Sequence, residues 1–295
     1  MPLQFEPISL EKQQDFRAQL AACPQKSSDY SFINLWGWAE AYDLSWAWED
    51  QLVWIKQTRP RIAYWAPIGP WEAIDWQAVF NRYTFEPGTF IRIPEQLVQC
   101  WEHIVLEQKR VSIQEARGQW DYLYDIQALV ELKGNRFHKK KNLLNQFKKQ
   151  YAYTYSPLSP DTAVKAIHMQ SAWCTWRDCE SSDILSSENQ VIEKILSQWE
   201  NLERIYGGLI TIDDNIVAYT VAEQLTDDTL LIHFEKGNPD FKGSYQAINQ
   251  MFLENSAEHF SIVNREQDLD EPSLRKAKLS YHPSGFLKKY QVFLL

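Results

Sequence analysis

The chain is short of cysteine, glycine and methionine and has no long apolar run, and each shortage removes a class of protein. Four cysteines, Cys23, Cys100, Cys174 and Cys179, in 295 residues are too few and too scattered for a disulfide framework. No C-x-x-C pair suggests structural zinc or a redox motif. That usage fits a reducing compartment, and a cytoplasmic location is expected. Ten glycines and 13 prolines exclude collagen-like and low-complexity chains. Residues 1–20 lack the basic start and apolar core of a signal peptide, and no stretch approaches the roughly 18 apolar residues that cross a bilayer. No G-x-S-x-G, G-x-x-x-x-G-K-[ST] or H-E-x-x-H occurs, which removes common hydrolase, nucleoside triphosphatase and zincin signatures. His168, Cys174 and Cys179 are spaced unlike a zinc site, so no metal is expected. Cys174 reads as a small core residue on an apolar helix.

What is present is a folded chain, 44% hydrophobic and 23% charged, long enough for one large domain or two. A net charge of −9 argues against DNA and against a broad nucleic-acid coat, because a phosphate backbone would be repelled by most of this surface. The charge is uneven. Residues 133–150 carry seven basic and no acidic side chains, and 272–295 carry Arg275, Lys276, Lys278, Lys288 and Lys289 without an acid. Such islands suit an anionic ligand held at one place, although solvated lysine faces produce the same pattern. Winding 135–151 as a helix puts Phe137, Leu143, Leu144, Phe147 and Tyr151 on one stripe with Lys140 inside it. A lysine there must snorkel out or meet an anion. Eight of the 13 tryptophans fall between Trp36 and Trp76, which implies either an aromatic core in the first half or an aromatic-walled groove.

Periodicity and turn signals predict helices at 10–22 and 32–42, a hairpin over 44–57 turning at Glu49-Asp50, and a strand at 61–65. A helix to about Tyr83, a strand at 89–93, a helix from Pro94 to about Lys109 and a strand at 111–116 complete the first half. A strand at 122–129 leads into the basic helix, and 151–155 reads as another strand. Helices at 160–173 and 188–202 precede a hairpin over 208–223 that turns at Asp213-Asp214-Asn215. A strand at 229–235, a loop, a helix at 243–258, a strand at 260–264, a helix at 272–281 and a strand at 289–294 complete the chain. This order resembles a GNAT-type acyltransferase. The first half echoes it, most visibly between 44–57 and 208–223. The expected class is α+β (mixed α/β), with two tandem GNAT-like units, each a twisted, mostly antiparallel sheet flanked by helices. A degenerate unit is expected over 1–119, and a unit carrying the ligand site over 120–295.

The loop from Glu235 to Ser244 joins a strand to a helix N-terminus, where free backbone N–H groups and the helix dipole favour a phosphate. Gly243 would let a ligand approach the backbone, and Lys236 and Lys242 add charge. The expected donor-phosphate group is therefore Lys236, Lys242, Gly243 and Ser244, with Lys139, Lys140 and Lys141. An ordinary loop capped by Gly243 or Ser244 remains the alternative, since the glycine-rich run of GNAT enzymes is thinned to one glycine. A second polar cluster, Asn264, Arg265, Glu266 and Asp268, leaves a strand end, where such sheets usually place ligands. With Arg275 and Lys278 it forms the expected substrate-binding group. Arg275 and Lys278 could meet either the nearby acids or a substrate anion.

Asn264 to Asp268 followed by Leu274-Arg275-Lys276-Ala277-Lys278, together with His233 to Asn238 and 134–147, resembles a bacterial family of unknown function related to the C-terminal domain of phosphatidylglycerol lysyltransferases. The resemblance is close over 120–295 and looser before it. It implies a tandem GNAT-like fold and an acyl or aminoacyl transfer, with a coenzyme A thioester or an aminoacyl-tRNA as donor. The expected acceptor is an amine or hydroxyl on a small molecule, peptide or lipid, the lack of a counterpart to the lysyltransferases' membrane-spanning half counting against the lipid, with tRNA as partner if it is the donor. Such transfer needs a base near the incoming amine and donors for the carbonyl oxygen. His233 and Glu235, two apart on one strand, should share a face and are the candidate bases. Tyr281 is the candidate proton donor to the leaving group. A packed, hydrogen-bonded histidine is the stronger reading of His233, and Glu235, which ends the strand beside the expected phosphate loop, is the better base candidate of the two. The competing class is a non-catalytic GNAT-like module that binds an anionic small molecule.

Overall fold

The computed structural model describes residues 2–86, 88–108 and 111–294. The first sheet takes β1 (Glu6–Pro7), β2 (Leu44–Glu49), β3 (Leu52–Gln57), β4 (Ala63–Trp65), β5 (Thr89–Pro94) and β6 (Val111–Glu115). Helices α1 (Gln13–Ala21), α2 (Phe32–Gly37), α3 (Ala39–Tyr42), α4 (Trp76–Arg82) and α5 (Glu95–Gln108) lie between them in the chain. The second sheet takes β7 (Asp121–Asp125), β8 (Tyr153–Pro157), β9 (Ile205–Ile212), β10 (Asn215–Gln224), β11 (Thr229–Gly237), β12 (Ile262–Asn264) and β13 (Gly285–Leu287). Its helices are α6 (Ile126–Glu131), α7 (His138–Gln150), α8 (Pro160–Arg177), α9 (Asp183–Ser197), α10 (Ser244–Ser256) and α11 (Pro272–Leu279). The last strand, β14 (Lys289–Leu294), belongs to the first sheet.

The strand orders are β1-β2-β3-β4-β5-β14-β6 and β13-β7-β12-β11-β10-β9-β8. Read from β1 and from β8, both share one plan. An antiparallel hairpin (β2–β3, β9–β10) comes first, then one parallel pair (β4–β5, β11–β12), then an antiparallel strand (β14, β7). The fold is the expected mixed α/β tandem of GNAT-like units. Both hairpin turns have the left-handed residues that two-residue turns demand, Asp50 and Gln51 at φ +55° and +62°, and Asp213 and Asp214 at +48° and +61°.

The units are not contiguous. One comprises Met1–Asp121, Gln267–Arg275 and Phe286–Leu295, and the other Tyr122–Glu266 and Lys276–Gly285. The strand expected to close a 120–295 unit instead sits between β5 and β6 of the first sheet, with Val292 buried. Its composition suits any pleated, half-buried surface, so local pattern identifies a strand without naming its sheet. The strand expected over 122–129 stops at Asp125, whose carboxylate accepts from the Ala128 N–H and starts α6. The expected helix end at Lys109 lies outside the described residues.

Most of the clustered tryptophans form core, with Trp38 and Trp48 half-buried. Trp46, Trp54, Trp71 and Trp101 are essentially inaccessible, and Trp36, Trp65 and Trp76 are buried. Trp54 packs on Phe85 at 4.9 Å between centroids, and Trp101 meets Trp76 at 5.4 Å and Phe90 at 5.3 Å, mostly edge to face. Cys174, read as a free core thiol, is instead disulfide-bonded to Cys179, across a bend made by left-handed Asp178 between α8 and α9.

Candidate functional site

β11 is nine residues long but pairs with β12 only over Thr229–Leu231. Beyond Leu231 the strands part, and among the described residues, 232–237 keep a sheet neighbour, β10, on one edge alone. Residues just past β12 bridge the split with side chains. Arg265 donates to Glu235, and Glu266 Oε1 lies 3.1 Å from His233 Nδ1. Asn249 of α10 donates to the other Glu235 oxygen at 2.8 Å.

His233 and Glu235 do not share a face, contrary to the alternation argument. Ile232 pairs with Ala222, Phe234 with Val221 and Glu235 with Thr220, so His233 is the extra residue of a β-bulge. Ile232 and Glu235 thereby face the same way, while His233 turns with Phe234, centroids 6.1 Å apart, toward Glu223, 3.4 Å from Nε2. The His233 side chain has 0% exposure. Burial pulls its pKa down, but the Glu223 and Glu266 carboxylates outweigh burial and hold it up at about 9. At neutral pH His233 is an imidazolium sealed between two carboxylates, which corrects its assignment as a base. Glu235 stands at the split, with each oxygen accepting a hydrogen bond.

Tyr281 lies beside this pair. The Arg265 guanidinium sits 4.7 Å from its ring centroid and Lys140 Nζ 4.1 Å. Burial raises the phenol pKa, with the Arg265 charge opposing, so the hydroxyl keeps its proton through neutral pH. Gln246 of α10 reaches that hydroxyl at 3.4 Å. Lys140 is half-buried, and its ammonium is destabilised first by burial and then by the Arg265 charge. Arg265 Nη1 is buried and meets no acceptor. Lys278 donates to the Arg265 carbonyl oxygen. The structure thus gathers Glu235, Arg265, Tyr281, Lys140 and Lys278 in the second unit, from elements far apart in sequence.

The other expected residues are arranged differently. Gly243 has φ +92°, but a Cβ there would stand 2.5 Å from the Leu143 carbonyl oxygen, so glycine serves the packing of α10 on α7 rather than a ligand's approach. The loop amides of Asn238, Asp240, Phe241 and Ser244 all bond within the protein, and the Ser244 hydroxyl donates to Asn238 O at 3.1 Å. Those four amides are therefore committed to the loop's own folding. Lys236 is buried on the opposite face from Glu235, 2.6 Å from Glu188 and 3.9 Å from the Trp173 centroid. Burial lowers its pKa, with Glu188 opposing. Lys139, Lys141 and Lys242 are exposed. Asn264 is buried and accepts from the Glu266 N–H.

Asp268 and Arg275 belong to the first unit. There Arg275 grips Asp268 through two hydrogen bonds of 2.7 and 2.8 Å, so the cation meets a protein acid rather than a substrate. The first unit also buries Lys289, with no side-chain exposure, against Asp29 and Asp121. Ser28 donates to Asp121 from both its N–H and its hydroxyl. Sequence reasoning missed Glu223, Glu188, Trp173 and Asn249. Only Glu223 had a legible signal, a single acid in the otherwise apolar run of β10.

The fold and the split sheet define a tandem GNAT-like protein of a transferase family. More narrowly, residues 20–293 match the family described as phosphatidylglycerol lysyltransferase, C-terminal, and the chain belongs to it. A conserved protein of unknown function from Bacteroides thetaiotaomicron is 29% identical, with a TM-score of 0.90 over 99% of this chain and 100% of that one. L-PGS from Bacillus licheniformis shares the fold at a TM-score of 0.64 and 11% identity, over 98% of this chain and 93% of that one. An uncharacterised protein of Mycoplasmoides gallisepticum (strain R) is 26% identical over 173 residues, 58% of this chain. That match spans about half of the relative's length, 55%. Among the described residues no helix is long and apolar enough to cross a membrane.

Proposed function

We propose that the chain transfers an acyl or aminoacyl group, from a coenzyme A thioester or an aminoacyl-tRNA, to an amine or hydroxyl acceptor at the split between β11 and β12. The observation that carries this reading is the one-sided edge of residues 232–237, which offers main-chain donors to a carbonyl oxygen beside an acid and a phenol. The corresponding β4 of the first unit is only three residues long, with no such overrun, which favours the second unit as the working one.

In this reading the acceptor amine attacks the donor carbonyl and edge N–H groups stabilise the oxyanion. Glu235 takes the amine proton after giving up one of its two hydrogen bonds. The carbon–sulfur or carbon–oxygen bond then breaks, and Tyr281 returns a proton to the leaving thiolate or alkoxide. The raised phenol pKa supports that last role, because the proton is present when needed. Incubation with acyl-coenzyme A and aminoacyl-tRNA donors and an amine panel, read by mass spectrometry, should reveal a product that Glu235→Gln and Tyr281→Phe each reduce at least tenfold. Undiminished product from both variants would refute these roles.

The hydrogen bond held by each Glu235 oxygen favours a second reading, a non-catalytic module for an anionic small molecule. In that case ligand affinity is measurable and no donor yields a covalent product.

A further inference from the structure

We propose that Lys140 and Arg265 form a receptor for a phosphate-type oxyanion beside the Tyr281 ring, an inference that rests on the transfer site above and specifies what it holds. Arg265 commits Nη2 to Glu235 and its guanidinium also acts on the Tyr281 hydroxyl, yet Nη1 is buried with no acceptor in hydrogen-bond geometry among the described residues. A buried donor left unmet costs stability unless an absent partner completes it. Lys140 is the second donor. α7 carries it inside an apolar stripe, and its ammonium ends over an aromatic ring with no carboxylate paired to it among the described residues.

The charge balance points the same way. Lys140 and Arg265 both lie within 4.7 Å of the Tyr281 centroid, and Glu235 is the acid bonded there. The excess is positive, and the Arg265 charge raises the cost of charging Lys140. An anion drawing one donor from α7 and one from the residue after β12 removes that penalty and meets the unused guanidinium donor. Glu235 already occupies one side of the guanidinium as a carboxylate would, and the remaining charge suits a phosphate better than a second carboxylate. The loop before α10 is a poorer candidate, because its Asn238, Asp240, Phe241 and Ser244 amides are internally bonded and Lys242 is exposed.

The phosphate could belong to the donor or to a phosphorylated acceptor. Calorimetric titration of the whole chain with inorganic phosphate tests the receptor, with acetate as the carboxylate control. Lys140→Gln should weaken phosphate binding about tenfold or more, the scale of one charge-assisted hydrogen bond. Lys140→Arg should restore most of the affinity, Lys242→Gln should leave it unchanged, and acetate should bind more weakly. Absence of phosphate binding, equal affinity in wild type and Lys140→Gln, or a loss confined to Lys242→Gln would each overturn the proposal. Unliganded melting temperatures of the variants separate misfolding from a lost site, and Lys140→Arg keeps the test open if Lys140→Gln does not fold. Displacement of phosphate by coenzyme A assigns it to a nucleotide-bearing donor, and displacement by glycerol 3-phosphate assigns it to the acceptor. Phosphate binding that depends on Lys140, in a protein that gives no covalent product with any donor, would keep the receptor and remove the transferase.

Discussion

His233 should make this protein lose stability in mildly alkaline solution. Its folded pKa is about 9 against an ordinary 6.5, so folding favours the protonated form. The stabilisation is therefore fully present below pH 6.5 and is lost as pH rises through 9. A difference of this size corresponds to about 3 kcal/mol between the two limits. The side chain has no solvent exposure and Glu223 only 1%, so screening by water takes little of it away. Urea unfolding tracked by far-ultraviolet circular dichroism, from about pH 6 to about pH 10, should show the wild type losing most of that amount. His233→Gln should be less stable at neutral pH, because two carboxylates lose their shared cation, and should lack the alkaline loss. A wild-type stability that stays flat across the window, or an identical slope in His233→Gln, would refute the assignment of His233 as a buried imidazolium.

The other ion pairs and the loop glycine give sharper local tests. Glu188→Gln should cost about 3 kcal/mol by stranding the buried Lys236 ammonium, while adding Lys236→Met should recover most of it, a non-additivity that a double-mutant cycle measures. Gly243→Ala should cost about 2 kcal/mol or more through strain and the clash with Leu143, lowering the melting temperature by several degrees. Asp121→Asn should destabilise by about 3 kcal/mol, because Lys289 is inaccessible and loses half of its carboxylate pair. A urea midpoint unchanged from wild type would contradict the Asp121 argument.

Much of the fold was legible because it is local. Asp50 and Asp213-Asp214 mark turns through their tolerance of positive φ, and helical spacing of Ile248, Met251 and Phe252 located α10, whose core face they are. The aromatic core could be read from the number of tryptophans, since so much ring area has to be buried. The candidate site was legible in part. Glu235, Arg265, Tyr281, Lys140 and Lys278 were each chosen from sequence, but their assembly around Arg265 and the Tyr281 ring was not, because α7, β11, the end of β12 and α11 meet only in the folded unit. The bulge at His233 was invisible, since one extra residue in a strand leaves no compositional mark while reversing the face of every later residue in that strand.

By itself, then, the sequence determined most of the strands and helices, where the hairpin turns fall and that a positive island lies in an acidic chain, since these depend on residues within a few positions of one another. Tertiary structure alone decided that β14 joins the first sheet, that Asp268 and Arg275 serve the first unit, and which lysines end beside acids. Those outcomes depend on pairings between residues distant in the chain, whose energies arise only once desolvation and close approach have been imposed by packing.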